Sequence, residues 1–349
     1  MDSLPTVTID PGVLAVPRSD CTKDDAYRYV ETLLDWCRLL KEPWLTVCMS
    51  EQASNVLIAE ELFPLRNHLR ELFNEHGIAE YTVNDIAVLA EKLLSLEQSF
   101  ESYHRVEDVL TDHVETVPDV IRLIAHDCLQ TNLQRCVTLI AVLRKHCAQP
   151  LGGHSLILKQ APERVIQVRA CIHDLEHSRD DIPPLPCSPE FFEGDVLVCD
   201  SFSGLIECLD EAAILAGAQD DVGIELAIRI ALYKSELERG GTPEWSNMIA
   251  PALGAKFRET CQRICDDHGE SVPPKILRAI EETANKRNLQ AVHALRTRAG
   301  GDARQRTRGF DRAQRRDIDR GFHLHYWDRA DGAVELASVV YHDDFSIPE

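Results

Sequence analysis

Thr6-Val7-Thr8-Ile9 alternates β-branched residues and stops at Asp10-Pro11-Gly12, a pattern that predicts a short strand running into a turn. Behind Thr22, with Asp25 three positions on, Ala26, Tyr29, Val30, Leu33, Leu34, Cys37 and Leu40 recur at helical spacing. Trp44 to Met49 reads as a buried strand, and Ser50 as the cap of a helix from Glu51 to about Leu62. Strand, helix, strand, helix in this order predicts a parallel α/β unit.

From 64 to 148 the period is helical. Pro64 opens a helix that Gly77 stops, and further helices are expected over 83–97, 98–113, 117–129 and 131–147. Gln149-Pro150-Leu151-Gly152-Gly153 is the clearest break, so the expected domains are 1–150 and 151–349. The second is mixed: strands near 154–159, 164–172 and 195–200, then helices near 204–218, 222–240, 253–268 and 274–287. It closes on strands near 321–327 and 333–341, where Asp331-Gly332 supplies the positive φ of a tight hairpin. The expected class is therefore α/β, helix-rich, ending in a β-hairpin.

Composition narrows the function classes. A chain of 349 residues that is 44% hydrophobic can bury a large core. Its net charge of -21 sets most of the surface against phosphate, so contact with RNA or DNA has to be local. No basic-then-apolar leader and no long apolar run is evident, which predicts a soluble, cytoplasmic protein with no membrane partner. The 12 cysteines are scattered through apolar patterns and read as reduced thiols rather than a disulfide scaffold.

Local positive charge is found near the carboxy terminus. Residues 296–320 hold nine arginines against Asp302, Asp311, Asp317 and Asp319, a balance of nine minus four, or +5. Phe322-His323-Leu324-His325-Tyr326-Trp327 follows, and strand alternation sets His323, His325 and Trp327 on one face and Phe322, Leu324 and Tyr326 on the other. Arg312, Arg315, Arg316 and Arg320 are candidate phosphate ligands, with His323, His325 and Tyr326 candidates for proton transfer or base stacking. Interleaved aspartates equally allow an internal ion-pair network, and an acidic protein partner would satisfy the same arginines.

This order of basic helix, His-rich strand, turn and strand resembles the closing segment of ribosome-dependent RNase toxins of the RelE and ParE type, over about 40 residues. The resemblance implies metal-free RNA cleavage by Arg320, His323, His325 and Tyr326. At the other end, Ile9-Asp10-Pro11-Gly12, the following helix and Val47-Cys48-Met49-Ser50 are similar to the start of PIN-like nuclease domains, over about 60 residues. That similarity implies a carboxylate cluster holding Mg²⁺ or Mn²⁺, with Asp10 as catalytic residue and metal ligand. Where such domains carry the next acid, this chain has Asn55, with Glu60 and Glu61 more than a turn later.

Cys261, Cys265 and His268 share one predicted helix face and form a candidate zinc set, set against the reading of core cysteines. His173 and His177 are four apart without the order of a zinc protease motif. Neither a phosphate-cradling GxxxxGK[ST] nor a GxGxxG after a strand occurs, so no nucleotide cofactor is expected. Two function classes follow: a nucleic-acid-directed protein, with nuclease activity in its sharpest and bacterial form, or a non-catalytic subunit that docks an acidic partner. Oligomeric state has no signature in the sequence.

Overall fold

The computed structural model describes residues 4–18, 20–298 and 303–348, so Asp302 lies outside the described residues. The fold is α/β and helix-rich, with 11 α-helices and 12 β-strands among the described residues. It divides into two compact units, one ending at Cys208 and one beginning at Leu209.

The first unit opens with β1 (Thr6–Ile9), α1 (Lys23–Leu39) and β2 (Thr46–Met49). Thr22 Oγ1 accepts from the Asp25 amide and the Asp25 carboxylate accepts from the Thr22 amide, closing the expected capping box. Tyr29, Val30, Leu33 and Trp36 form the buried stripe of α1. Next come α2 (Ala53–Ala59), α3 (Arg66–His76), α4 (Val83–Leu94) and α5 (Phe100–His104). Gly77, at φ 61, ends α3 in the left-handed conformation that glycine enters without penalty. Ser50 stands just before α2, where its Oγ accepts from the Gln52 amide at 3.3 Å while its hydroxyl donates to Glu101.

Residues 98–129 depart from the predicted helices. The chain leaves α5 through Arg105, at φ 53, and continues as the 12-residue β3 (Val106–Val117). Three register shifts, at Val106/Asp108, Leu110/Thr111 and Asp112/Glu115, insert residues that find no direct partner. Buried Val106 and Val109 therefore fall three apart and Thr116 seven further on, a spacing that imitates a helix although the segment is a bulged strand.

Beyond α6 (Asp127–His146), β4 (His154–Ile157), β5 (Val165–His177), β6 (Glu190–Cys199) and α7 (Phe202–Cys208) complete the unit. The sheet runs β2-β1-β4-β6-β5-β3. Its first four strands are parallel, and β5 and β3 extend it antiparallel. Leu133, Val137 and Ile140 of α6 pack on Leu156, Val168 and Val198. The break expected at 150 is a correction: residues 149–153 turn α6 into β4, which hydrogen-bonds between β1 and β6, so the division falls after 208.

The second unit contains α8 (Glu211–Gly217), α9 (Asp221–Glu238), β7 (Ala252–Leu253), α10 (Phe257–His268) and α11 (Pro273–Ala284). Then follow β8 (Val292–Ala294), β9 (Thr307–Arg308), β10 (Asp311–Asp317), β11 (Phe322–Asp328) and β12 (Val334–Tyr341). Its sheet runs β7-β12-β11-β10-β8, with β9 beside β10. The expected hairpin is β11 and β12, turned at Gly332 with φ 85. Much of the basic segment is thus strand, where alternation sends neighbouring arginines to opposite faces.

Candidate functional site

In the first sheet β1 has β2 on one side and β4 on the other. The carboxyl ends of such parallel strands, where the connections diverge, are where open α/β sheets form a crevice. Asp10 follows directly on β1, and Leu158 and Lys159 follow directly on β4. A cavity of about 320 Å³ opens there, walled by Leu62, Val120, Leu129 and Leu133, with Arg18 and Lys159 among its lining residues.

Asp10 is 2% exposed. Its Oδ1 accepts from the Gly12 amide at 2.8 Å, while Oδ2 is buried without a hydrogen-bond partner. Gly12 is needed for this turn, since a Cβ there would stand 2.7 Å from Asp10 Oδ1. Burial pushes the Asp10 carboxyl up to about 7, and the Gly12 bond offsets only part of that. At neutral pH it can both donate and accept. The side chains of Arg18 and Lys159 are exposed and have no ion-pair or hydrogen-bond partner among the described residues. His126, also at the cavity, is held 3.1 Å from Glu60, which accepts the Cys128 amide as well.

The donors around Asp10 do not fit Mg²⁺ or Mn²⁺, hard ions that want several oxygen ligands. Asp10 joins no metal-type cluster among the described residues. Glu101, which reaches Ser50 at the end of β2, is neutralised by Arg135 at 2.6 Å. Asn55 is exposed on α2, and Glu60 is committed to the amino end of α6.

The basic segment in the second unit is partly occupied from within, through Arg296, Arg308 and Arg316. Arg316 is fully buried and donates to Glu282 at 2.9 Å and to the carbonyls of Arg287 and Asn288. Arg308 grips both oxygens of Glu335 at 2.8 Å and also meets Asp311. Arg296 donates to the Ala303 carbonyl. Arg315 is half-buried over the Phe345 ring. Arg298, Arg304, Arg312 and Arg320 are exposed. Of the four candidate phosphate ligands, Arg316 is therefore corrected to an internal ion pair, and Arg312 and Arg320 remain open.

The histidine face is corrected as well. Every residue from Phe322 to Trp327 is buried, and residues 345–348 cover His325 and Trp327 on the face expected to be free. Ser346 O accepts from His325 Nδ1 at 2.8 Å, Pro348 O accepts from Trp327 Nε1, and Phe345 and Ile347 pack beside Trp327. His323 sits 3.0 Å from Asp317. Burial lowers His325 to about 4 and raises Tyr326 to about 12, and it also lowers His323. These groups are neutral packing residues at pH 7 and do not form an open catalytic edge. Cys261 and Cys265 interact with each other, whereas His268 faces the Tyr341 hydroxyl, so the expected zinc set forms no three-donor group among the described residues.

Comparison with family models, with curated proteins and with solved structures finds no match. Among the described residues no helix is long and apolar enough to cross a membrane. Sequence reasoning missed Arg18 and Lys159. A faint mark of Lys159 was its place at the polar end of His154-Ser155-Leu156-Ile157-Leu158, but its meaning required knowing that this strand lies beside β1.

Proposed function

We propose that the chain is a nucleic-acid-directed binding protein whose first unit grips one nucleotide of an RNA or DNA strand at the carboxyl edge of its sheet. One juxtaposition carries this reading: an apolar cavity of about 320 Å³, a buried carboxyl oxygen on Asp10 without a partner, and two unpaired cations, Arg18 and Lys159. The volume is near the lower end of the ~300–1,000 Å³ of small-molecule sites, which suits one base with its sugar. Apolar walls favour an aromatic ring, and a carboxyl that keeps its proton near neutral pH can pair with a base edge that both donates and accepts. Arg18 and Lys159 then meet the flanking phosphates. Because the rest of the surface is acidic, the contact is local and involves few phosphates. Cleavage is not part of this reading, since among the described residues Asp10 joins no cluster with a second acid.

Fluorescence anisotropy with short labelled oligouridylate and oligothymidylate tests it. The Arg18→Ala/Lys159→Ala double variant is expected to bind at least about tenfold more weakly, with a log-log salt slope shallower by about 1.4 for two phosphates on a single strand. Unchanged binding by that variant, or no binding by the wild type at low salt, removes the proposal.

A second reading, docking of an acidic protein on the second unit, is favoured by one observation. Phe310 is 92% exposed between β9 and β10, two residues before the exposed Arg312. An exposed aromatic close to an exposed guanidinium is an interface anchor. Polyglutamate binding that is lost in Arg304→Ala/Arg312→Ala supports it, and absence of such binding ends it.

A further inference from the structure

On the ribbon of β3 and β5, Asp112 lies directly opposite Cys171. His173, two residues on, falls at the register shift between the Leu110 and Thr111 pairs, which leaves it without a cross-strand partner and turned toward the same acid. One ligand atom from each of the three falls within 4.8 Å of the others, and Asp112 Oδ2 stands 3.0 Å from His173 Nε2. We propose that Asp112, Cys171 and His173 bind a divalent transition-metal ion of the zinc class, with a fourth position left to water.

The donor set selects the ion. A thiolate with an imidazole and a carboxylate is borderline-soft and suits tetrahedral Zn²⁺, whereas Mg²⁺ and Mn²⁺ prefer oxygen throughout. Three protein ligands with one open position are the pattern of reactive rather than purely structural zinc. Placement is also suitable: two of the ligands sit on paired positions of neighbouring strands, which fixes their separation, and the third follows two residues on. Cys171 is 7% exposed and forms the floor, while Asp112 is exposed and His173 partly so, leaving an approach for an ion.

The backbone beside the acid is irregular. Between Asp112 and Glu115 the pairing with β5 shifts, and His113 sits at φ 50, a left-handed conformation that non-glycine residues seldom adopt. Bulges of this kind are frequent next to sites, where they redirect side chains. Without an ion Cys171 is a free thiol. Ligation breaks that S–H bond, forms a sulfur–metal bond and releases the proton to solvent. None of the three residues lines the Asp10 cavity, so this inference stands apart from nucleotide binding.

Co²⁺ titration of the full chain, followed by absorption, is the test. The expected result is one equivalent bound with a thiolate-to-cobalt charge-transfer band, displaced by Zn²⁺. Cys171→Ser should abolish the band, and Asp112→Asn and His173→Ala should weaken affinity by at least the ~10- to 100-fold typical of metal-site changes. Cys261→Ser should leave it unchanged, which separates this thiol from the others. Because Asp112 is exposed, Asp112→Asn keeps the test decisive even where Cys171→Ser unfolds the chain. Absence of one-equivalent Co²⁺ or Zn²⁺ uptake, a band that survives Cys171→Ser, or unchanged affinity in Asp112→Asn overturns the site.

Discussion

The two units differ in where charge is left unsatisfied beside a cavity, although each holds paired arginines, Arg135 in the first and Arg316 in the second. In the second, arginines are dense along the chain, yet Arg308 and Arg316 are gripped by carboxylates of their own unit. In the first, cations are sparse, yet Arg18 and Lys159 stand unpaired at a cavity that also holds an unpartnered acid. Local charge density is therefore a poor guide to an open binding surface. What matters is which charges the fold leaves unsatisfied, because a guanidinium already holding a carboxylate has little left to offer a phosphate.

Replacing the buried cation should break this contrast most severely. Arg316→Ala empties a fully buried site and leaves the Arg287 and Asn288 carbonyls without their donor, while Glu282 keeps Arg278 and Asn288, and it is expected to cost about 3 kcal/mol, read from urea denaturation. A loss near zero would mean that Arg316 is solvated and free after all.

Next is Asp10. Its carboxyl at about 7, against 3.8 for an ordinary one, corresponds to roughly 4 kcal/mol between protonation states. The folded form holds the proton more tightly than the unfolded form, so stability is full below about pH 4 and is lost as pH rises through 7. Asp10→Asn should remove that loss and gain on the wild type by up to about 4 kcal/mol between pH 4 and 8. A gap that does not change with pH would place Asp10 in contact with water.

His325 titrates with the opposite sign. Lowered from 6.5 to about 4, it contributes stability that is present above pH 6.5 and lost as pH falls through 4, worth roughly 3 kcal/mol. His325→Gln should flatten the acid limb of the stability profile. An unchanged limb would mean that residues 345–348 do not seal this ring. The smallest effect is expected at the open arginines: Arg312→Ala or Arg320→Ala should stay within about 0.5 kcal/mol of wild type in the same denaturation.

Much of the local structure was legible. The capping box of Thr22, the stop at Gly77 and the hairpin at Gly332 are written in adjacent residues, and each forms where expected. Failure came where a local pattern had two solutions or where partners were distant. Bulges gave β3 the spacing of a helix. The turn at 149–153 looked like a domain border because nothing in it reveals that β4 continues the same sheet. Arg316 looked available because its acid, Glu282, is 34 residues away on a helix. The cavity was invisible for the same reason, since it requires Asp10 and Lys159 to be neighbours across two strands.

β1 needs β4 as its second partner, and Thr6 meets His154 across a sequence separation of 148. A nascent chain emerging at about 5–20 residues per second therefore carries this strand half-paired, between the end of β2 and the end of β4, for roughly five to twenty seconds. Until β4 leaves the ribosome the crevice has only one wall, so translation itself delays the moment at which a ligand can be held.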